Sequence, residues 1–235
     1  MTSTRLPGKV MKNVLGKSLL AYQIERLRRI PSADQIVVAT TTNSDDDVIE
    51  AHCQALDVKV FRGSEQDVLA RYYGAAKASG ADVVVRVTSD CPLIDPEVSE
   101  RVIRRFLDAH EELGYVSNTL ERTYPRGLDT EVFPFRLLEL AHQKADKPYE
   151  REHVTPYFYG NPDRFNIIQV IDSIDRKEQR WTVDTPDDFE FVRRILETVY
   201  PTHPRFTMYD VLDVLAIHPD WMAINAHVVQ KMLGE

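Results

Sequence analysis

Residues 81–90 read ADVVVRVTSD, a nearly unbroken apolar run that ends in polar residues. A strand needs such a run when both of its faces are buried, as they are where helices cover both sides of a parallel sheet. Helical patterns flank the run, one beginning at Ser64 and one at Asp95. The stretch therefore predicts an α/β fold in three layers, with a doubly wound and mostly parallel sheet between two layers of helices.

The same alternation extends along the whole chain. Further strands are predicted at 35–41, 58–61, 115–120, 128–133, 165–171 and 179–184. Helices are predicted at 17–30, 44–57, 64 onward, 95 onward, 186–200 and 207 onward, with a short one after Pro219. No internal repeat or linker interrupts these elements, so residues 1–235 are expected to form a single domain.

Composition and charge narrow the class of protein. The net charge of -8 disfavours a general nucleic-acid surface, because such surfaces carry an excess of Lys and Arg. Residues 1–30 are the exception, with seven basic side chains against Glu25, a local patch that suits a small polyanion. Cys53 and Cys91 form no disulfide or zinc pattern, and no apolar run is long enough to cross a bilayer. We expect a cytoplasmic protein that binds neither nucleic acid nor membrane.

Two carboxylates follow predicted strands. Asp90 ends the run at 81–90, and Asp184 ends the strand predicted at 179–184. Ligands of open α/β sheets bind outside the carboxyl ends of the strands. Thr185 and Asp188 have capping-box spacing, so the next helix has its own cap without Asp184. Hard oxygen ligands of this kind predict a Mg²⁺ site, and the alternative is that both aspartates serve turns or caps.

The N-terminal stretch STRLPGK, residues 3–9, predicts a tight basic loop. Pro7 fixes the backbone, Gly8 tolerates close approach, and Arg5 and Lys9 flank this corner. Such a loop suits a triphosphate, although it lacks the Walker pattern GxxxxGK[ST]. Taken alone, it is equally well explained as a solvated surface loop.

A series of motifs in fixed order carries a resemblance to a known family. They are STRLPGK, IVVATTTNSDDDVI, FRGSEQDVLARYY, VRVTSDCPLIDP, YVSNTLERTYPRGLDTEV, YEREHVTPY and WTVDTPDDFEFV. Together they resemble the spore-coat polysaccharide biosynthesis protein F family, within the cytidylyltransferase group that also includes acylneuraminate and 3-deoxy-manno-octulosonate cytidylyltransferases. The resemblance implies a nucleotide-diphospho-sugar transferase fold. It also implies transfer of CMP from CTP to an acidic sugar or related acceptor in surface polysaccharide synthesis, with Mg²⁺ and with release of pyrophosphate.

The resemblance also assigns roles to residues. Arg5 and Lys9 match the family's phosphate-binding loop, and Asp90 and Asp184 match its Mg²⁺ pair; these four are the expected catalytic residues. The nucleoside is expected near Thr40, Asp67 and Arg71, in a nucleotide-binding half at 1–114. The acceptor is expected at Asn118, Arg126, Asp129, Glu131, Arg151, Glu152 and His153, in a half at 115–200, followed by C-terminal helices at 201–235. Relatives are commonly homodimers.

Simpler interpretations of some of these residues stay open. Asp67 is three residues from Ser64 and four from Arg71, which suits a helix cap and a surface ion pair. Cys91 next to Asp90 has no basic partner in the sequence and is interpreted as a packing thiol. The apolar residues that follow Thr207 could belong to the core or to a subunit interface, and the core is the preferred interpretation.

The chain departs from the family pattern at its start. Family members have a strand ahead of the basic loop, and Met1 falls inside the motif that follows that strand. We expect the recorded start to be internal to a longer natural chain, and the alternative is that the first strand has been lost.

Three other activities remain open from the sequence. A glycosyltransferase would consume a nucleotide sugar without releasing pyrophosphate. A polyol-phosphate or phosphonate cytidylyltransferase would differ only in its acceptor. A non-catalytic nucleotide-binding partner would keep the fold without turnover.

Overall fold

The apolar run at 81–90 forms the strand β5 (Val83–Arg86) in a computed structural model that describes residues 1, 3–109 and 114–230. The strand is shorter than predicted because Val87 to Asp90 leave the sheet as a loop. The other strands are β1 (Asn13–Val14), β2 (Lys17–Ser18), β3 (Val37–Thr41), β4 (Lys59–Gly63), β6 (Gly114–Ser117), β7 (Glu131–Pro134) and β8 (Asn166–Gln169).

Helices occupy the connections between these strands. They are α1 (Leu19–Leu27), α2 (Asp47–Ala55), α3 (Val68–Ser79), α4 (Pro96–Ala109), α5 (Phe135–Lys144), α6 (Pro148–His153), α7 (Pro156–Tyr159), α8 (Pro186–Val199) and α9 (Met208–Ile217). Short 3₁₀ turns lie at Lys9–Met11, Ser44–Asp46 and Pro219–Ala223. The final five residues of the expected C-terminal segment, 231–235, lie outside the described residues.

The main strands form two separate ladders. β3 pairs with β4 in parallel, with Val37 opposite Lys59. β5, β7, β6 and β8 form the second ladder in that order, in which β7 is antiparallel to β5 and β6, and β8 is parallel to β6. The α/β prediction is therefore confirmed, and the sheet is mixed because β7 reverses direction between its neighbours.

Alternate residues of the second ladder bury into two different helix layers. Tyr115 and Phe133 pack on one face with α3, α5 and α7, and Val116 and Val132 pack on the other with α4. This alternation is what a strand with two buried faces requires, because successive side chains point to opposite sides. The three predicted layers are thereby established around β5 to β8.

Helix caps follow the predicted chemistry in most places. Asp95 Oδ1 accepts the backbone N–H groups of Glu97 and Val98 at the start of α4, and Thr185 and Asp188 form the predicted capping box of α8. The prediction for α3 was wrong by one turn. Asp67, not Ser64, caps this helix, and the Ser64 hydroxyl accepts the Asp67 N–H ahead of it.

Two further expectations differ from the structure. Residues 179–184 form no strand, only an isolated bridge between Arg126 and Arg180, because the chain is held by separate bonds to the 123–126 loop and to Asp90. The spacing of Val98, Val102, Ile103, Phe106 and Leu107 predicts one buried face of α4, but Leu107 is 40% exposed.

The C-terminal elements pack into the core. Met208, Val211 and Leu215 of α9 are buried in one cluster with α8 residues, Trp181 and the loop residue Leu6. The preferred interpretation of the segment after Thr207 is therefore correct for these three residues. Through this cluster, α8 and α9 fix the base of the N-terminal basic loop.

Gly127 is expected to be irreplaceable, since its φ is +110° and an added Cβ would lie 2.7 Å from the Trp181 carbonyl carbon and 2.8 Å from the Thr182 nitrogen. We predict that Gly127→Ala lowers the free energy of unfolding by several kcal/mol, because backbone atoms must move. The control is Gly80→Ala, at φ +63° with open space around it, which should cost about 1 kcal/mol. Urea unfolding measures both, and equal losses would contradict the prediction.

Candidate active site

The backbone of the basic loop at 3–9 is fixed by packing against the core and by a hydrogen bond within the loop. Leu6 is buried in the core cluster, and its carbonyl accepts the Lys9 N–H. Gly8 adopts φ +65°, a left-handed conformation that suits glycine, and the chain then enters the 3₁₀ turn at Lys9–Met11. The loop therefore presents Arg5 and Lys9 from a fixed backbone.

The Lys9 ammonium lies between the two predicted aspartates. Its Nζ is 3.0 Å from Asp90 Oδ2 and 2.7 Å from Asp184 Oδ1. The Val183 N–H donates to the Asp90 carbonyl at 2.8 Å, which joins the two loops that carry these carboxylates. The structure thus brings together residues that are separated by 81 and 175 positions in the sequence.

Asp184 is surrounded by cations. Its Oδ2 is 3.1 Å from Arg5 and 2.7 Å from Arg180, in addition to the Lys9 contact. Burial raises the pKa of Asp184, but Lys9, Arg180 and Arg5 together outweigh it and hold that pKa below its ordinary value. The carboxylate is therefore ionised at neutral pH. Asp184 lies outside the cap of α8, and this position suggested that it makes no structural contact. It instead contacts all three of these cations.

The pKa of Lys9 is shifted in the opposite direction. Burial lowers its pKa, but the charges of Asp90 and Asp184 raise it by more, so the pKa of Lys9 lies above its ordinary value. The ammonium stays charged at neutral pH. A cation that balances two carboxylates in the protein is in position to contact an anionic phosphate instead.

Arg180 orients Asp184 from behind, and the sequence analysis missed it. Its guanidinium bonds the fully buried Asp188 at 2.8 Å, and Asp188 also accepts the N–H groups of Asp184 and Thr185. Asn225 donates to Asp188 as well. The four-residue spacing of Arg180 and Asp184 was the available signal, because it indicates an ion pair when the residues lie on a helix. Residues 179–184 were predicted as a strand, so the pair was not expected.

Asp90 has polar neighbours of its own. Thr88 Oγ1 donates to Asp90 Oδ1 at 2.5 Å, and the Thr182 hydroxyl donates to the Asp90 carbonyl. The adjacent Cys91 is buried, and burial together with the charge of Asp90 raises the pKa of its thiol well above the ordinary value. The thiol is protonated at neutral pH, which agrees with a packing role rather than a nucleophilic one.

The donor set suits Mg²⁺. Asp90 and Asp184 offer hard carboxylate oxygens that converge on one point, and both side chains are partly accessible. Magnesium sites commonly use one or two carboxylates and complete the octahedron with water and substrate phosphate. The described residues contain no group of three or more His, Cys, Asp or Glu that could hold a metal by themselves. The pair therefore fits a metal that arrives with a phosphorylated substrate.

Two of the predicted acceptor residues, Asn118 and Glu131, are buried. Asn118 is buried, with its side chain bonded to the Leu128 carbonyl and the Thr130 N–H, so it fixes the loop between β6 and β7. Glu131 is buried between Arg86 and the Tyr115 hydroxyl. These two side chains are engaged inside the fold.

Arg126 differs from its neighbour Asp129 in having, within residues 3–109 and 114–230, no bonded partner for its side chain. Asp129 forms a bidentate ion pair with Arg122, at 2.6 and 2.8 Å. Within the described chain, the half-buried guanidinium of Arg126 makes no hydrogen bond or ion pair. Burial and the charges of Arg122 and Arg180 lower the pKa of Arg126, and the charges of Asp129 and Asp184 offset part of this effect. The guanidinium is therefore partly withdrawn from water and has no bonded carboxylate among the described residues.

Arg151 and Asp67 belong to a second network. Arg151 bonds Asp67 through two nitrogens, at 3.1 and 2.5 Å, and so joins α6 to the start of α3. The ion pair of Asp67 is thus with Arg151, while Arg71 donates to the Ser64 carbonyl. The alternative interpretation of Asp67 and Arg71 as an ion pair was wrong, because α6 provides Asp67 with a partner that is distant in sequence.

Thr40, Glu152 and His153 have no direct contact with the carboxylate pair. Thr40 donates to Asp46 Oδ2 at 2.6 Å, at the carboxyl end of β3. Glu152 is exposed and His153 partly buried on α6, and in the described chain neither bonds Asp90 or Asp184. Their expected roles stay predictions.

A layered α/β sheet with a basic loop that faces Asp90, just past β5, and Asp184, just before α8, has the ligand-binding arrangement of a nucleotide-binding α/β protein. The family model described as cytidylyltransferase matches residues 1–206. The chain belongs to the cytidylyltransferase family, as its motifs predicted.

Relatives support this membership over most of their length. The spore coat polysaccharide biosynthesis protein SpsF of Bacillus subtilis is 31% identical, over 94% of this chain and 92% of that protein. A 3-deoxy-manno-octulosonate cytidylyltransferase of Anaeromyxobacter dehalogenans is 27% identical, over 83% of this chain and 93% of its own. The solved structure of a cytidylyltransferase from Leptospira borgpetersenii superposes with a TM-score of 0.90 at 33% identity, covering 99% of this chain and 95% of that one. In the part of the chain that the structure describes, no helix is long and apolar enough to cross a membrane.

Lys9 is expected to control the titration of Asp184. A depressed pKa contributes stability that is present above the ordinary value of 3.8 and is lost as the pH falls through the lower value of the folded state. Lys9→Met should therefore raise the pKa of Asp184 and move acid unfolding to higher pH. Carboxyl NMR titration and circular dichroism measure the two effects. Lys12→Met is the control, since Lys12 lies over the Phe189 ring; an unchanged Asp184 titration in Lys9→Met would refute the prediction.

Proposed function

We propose that this protein transfers CMP from CTP to an acidic sugar or a related anionic acceptor and releases pyrophosphate. The observation that carries the proposal is the Lys9 ammonium between Asp90 and Asp184, with Arg5 3.1 Å from the latter. Family membership supports CTP as the nucleotide. The name of the B. subtilis relative supports a role in polysaccharide synthesis, and the name of the A. dehalogenans relative supports a sugar acid as the acceptor.

Arg5 and Lys9 bind the triphosphate in this proposal. Arg offers a planar fork of donors to phosphate oxygens, and Lys offers a compact positive charge. Because both side chains already neutralise Asp184, a phosphate that enters the site exchanges one set of anionic partners for another. These two cations then stabilise the negative charge that develops on the departing pyrophosphate.

Asp90 and Asp184 would hold Mg²⁺, which offsets negative charge on the α-phosphate and on the attacking oxygen when it is bound. Arg180 and Asp188 keep Asp184 oriented for this task. Thr88 does the same for Asp90 through the bond to its other carboxylate oxygen.

The reaction is a direct displacement. The acceptor hydroxyl oxygen forms a bond to the α-phosphorus of CTP, the bond from that phosphorus to the bridging oxygen breaks, and pyrophosphate leaves with the bond's electron pair. The acceptor proton passes to solvent or to a carboxylate. No covalent enzyme intermediate is needed, which agrees with the protonated, buried thiol of Cys91.

The acceptor is anionic in this proposal because of Arg126. Its guanidinium forms no ion pair among the described residues, because Asp129 and Asp184 near it are bonded to other cations, and an acceptor carboxylate would supply a partner with two parallel bonds. A neutral sugar would leave this charge unmatched. The same site would distinguish acidic from neutral acceptors.

Replacement of Asp184 tests the metal role. With CTP, Mg²⁺ and 3-deoxy-manno-octulosonate as the probe acceptor, Asp184→Asn should lower pyrophosphate release by about 100-fold or more, on the scale of a lost transition-state contact. Thermal unfolding should show that the variant remains folded. Asp187→Asn is the matched control, because Asp187 is exposed three residues away and pairs with His227. Unchanged release in Asp184→Asn would sink the metal assignment.

The nucleotide itself is tested by thermal unfolding with CTP, UTP, ATP and GTP, with and without Mg²⁺. A ligand at 100 times its Kd stabilises the folded state by about 2.7 kcal/mol, and CTP with Mg²⁺ should give the largest shift. Release of a nucleoside diphosphate from a nucleotide sugar, with no pyrophosphate from CTP, would favour a glycosyltransferase instead.

Arg126 should affect the acceptor and not the nucleotide. Arg126→Gln should raise the KM for the probe acceptor by roughly 10- to 100-fold, the worth of a charge-assisted hydrogen bond, with CTP affinity unchanged. Arg105→Gln, on the exposed side of α4, is the control. If Arg126→Gln instead weakens CTP binding and leaves the acceptor KM unchanged, the guanidinium serves the nucleotide.

A further inference from the structure

A C-terminal segment lies behind the candidate active site. Residues 225–230 follow α9 and the 3₁₀ turn at Pro219–Ala223, and they come after residue 206, where the match to the family model ends. We call residues 225–230 the C-terminal strap. It contacts Arg180, Asp187 and Asp188, just before α8 and in its first turn. A part of the chain that is distant in sequence from the basic loop therefore reaches the support of Asp184.

Asn225 fixes one end of the strap. Its side chain is buried, and its Nδ2 donates to the Arg180 carbonyl and to Asp188 Oδ1, both at 2.9 Å. Both hydrogens of the amide nitrogen are thereby used. The Val228 N–H donates to the Asn225 carbonyl in a turn, and the chain then continues to Gln230. The strap is therefore attached to the same two residues that support Asp184.

Gln230 bonds the guanidinium of Arg180. Its Oε1 accepts from Arg180 Nη1 at 2.7 Å, and the Arg180 side chain is only 7% exposed. Within residues 3–109 and 114–230, Nη1 has this one partner. Loss of the Gln230 amide would therefore leave a nearly buried donor unpaired, which is unfavourable.

The other nitrogens of this guanidinium hold the two aspartates. Nε and Nη2 donate to the two carboxylate oxygens of Asp188, at 2.8 and 3.1 Å, and Nη2 also donates to Asp184 Oδ2 at 2.7 Å. Because a guanidinium is planar and rigid, its N–H donors point in fixed directions. A group that is bonded through all three nitrogens cannot turn without breaking a bond. The Gln230 contact therefore helps to fix the nitrogen that bonds Asp184.

Gln230 holds Arg180 without adding a charge. The charge of Arg180 is one of three that balance Asp184, together with those of Lys9 and Arg5. A carboxylate in place of the amide would attract the guanidinium more strongly and would compete with Asp184 for it. An amide oxygen bonds the guanidinium and leaves its charge available to Asp184. The residue type at position 230 thus suits positioning.

We propose that Gln230 is a positioning residue for the reaction: it holds the Arg180 guanidinium and thereby keeps the Asp184 carboxylate directed toward Lys9 and the incoming phosphates. In the described chain no bond joins Gln230 to Asp184, so Gln230 acts through Arg180. The expected effect on turnover rests on the proposed function, whereas the effect on Arg180 does not.

Removal of the Gln230 amide should reduce turnover without weakening substrate binding. Lys9 and Arg5 still contact Asp184 in this case, so CTP meets the same cations. A less firmly held carboxylate lowers the rate because the transition state needs the strictest alignment. Gln230→Ala should lower kcat by roughly 10-fold. The KM values for CTP and for the acceptor should stay within about twofold of the wild type.

The experiment uses the 235-residue chain with CTP, Mg²⁺ and 3-deoxy-manno-octulosonate as the probe acceptor. It compares the wild type with Gln230→Ala, Arg180→Lys and the double variant. Lysine keeps the positive charge, but its single ammonium lacks the planar fork that bonds Asp188, Asp184 and Gln230 together. Val229→Ala is the matched control, because Val229 is 82% exposed and adjacent to Gln230. Thermal unfolding of the same samples shows whether each variant is folded.

A second readout does not depend on turnover. NMR measures how fast the Arg180 Nε proton exchanges with water, and the loss of its signal in Arg180→Lys assigns it. This proton is bonded to the fully buried Asp188, so its exchange in the wild type should be slow. Gln230→Ala should speed the exchange by about an order of magnitude, and Val229→Ala should leave it unchanged.

The double variant shows whether Gln230 acts through Arg180. In the Arg180→Lys background, Gln230→Ala should cause no further loss of kcat, because residues that share one contact have non-additive effects. Equal losses of kcat in both backgrounds would overturn the proposal. An unchanged exchange rate of the Arg180 proton in Gln230→Ala would do the same, as would a raised KM with kcat unchanged. A wild type without turnover would count against the proposed function alone, and the proton exchange would still decide whether Gln230 positions Arg180.

Discussion

An ammonium held between two carboxylates organises this site. Asp90 and Asp184 come from loops that would repel each other by charge if nothing lay between them, and Lys9 supplies the balance at 3.0 and 2.7 Å. Burial disfavours the charged form of each group, but the opposite charges around it outweigh burial, so the pKa of Lys9 lies above its ordinary value and the pKa of Asp184 below it. This contact joins the basic loop, the loop after β5 and the segment before α8. In the proposed function, the cation exchanges protein carboxylates for substrate phosphate oxygens.

The second requirement is that the carboxylates be held from behind. Asp188 is fully buried, yet it accepts bonds from Arg180, Asn225 and the backbone at the start of α8. A buried charge is tolerated only when it is paired and fully bonded, so this network fixes the helix start and Asp184 together. The capping box of α8 therefore does more than cap the start of the helix, because its Asp188 side chain also orients Arg180.

Sequence patterns predicted elements well wherever local chemistry dominates. The cap of α4 by Asp95 and the capping box of α8 were predictable because cap, Pro and apolar face lie within a few residues of each other. The strand at 179–184 failed for the opposite reason. Its β-branched and aromatic residues suit an extended chain, but pairing depends on partners from 123–126 and from Asp90, which supply only isolated bonds. The alternative ion pair of Asp67 with Arg71 failed for a similar reason, because the actual partner, Arg151, is 84 residues away.

The sequence by itself determined the α/β class, the starts of α4, α8 and α9, the family and the residues of the basic loop, because these depend on periodicity, caps and short motifs. Only the tertiary structure decided that Lys9 bridges Asp90 and Asp184, that Arg180 supports Asp184, and that the strands pair as the separate ladders β3–β4 and β5–β7–β6–β8. Each of these facts joins residues from distant parts of the chain. Electrostatic pairing and strand order are set by which elements pack together, and no local pattern encodes that choice.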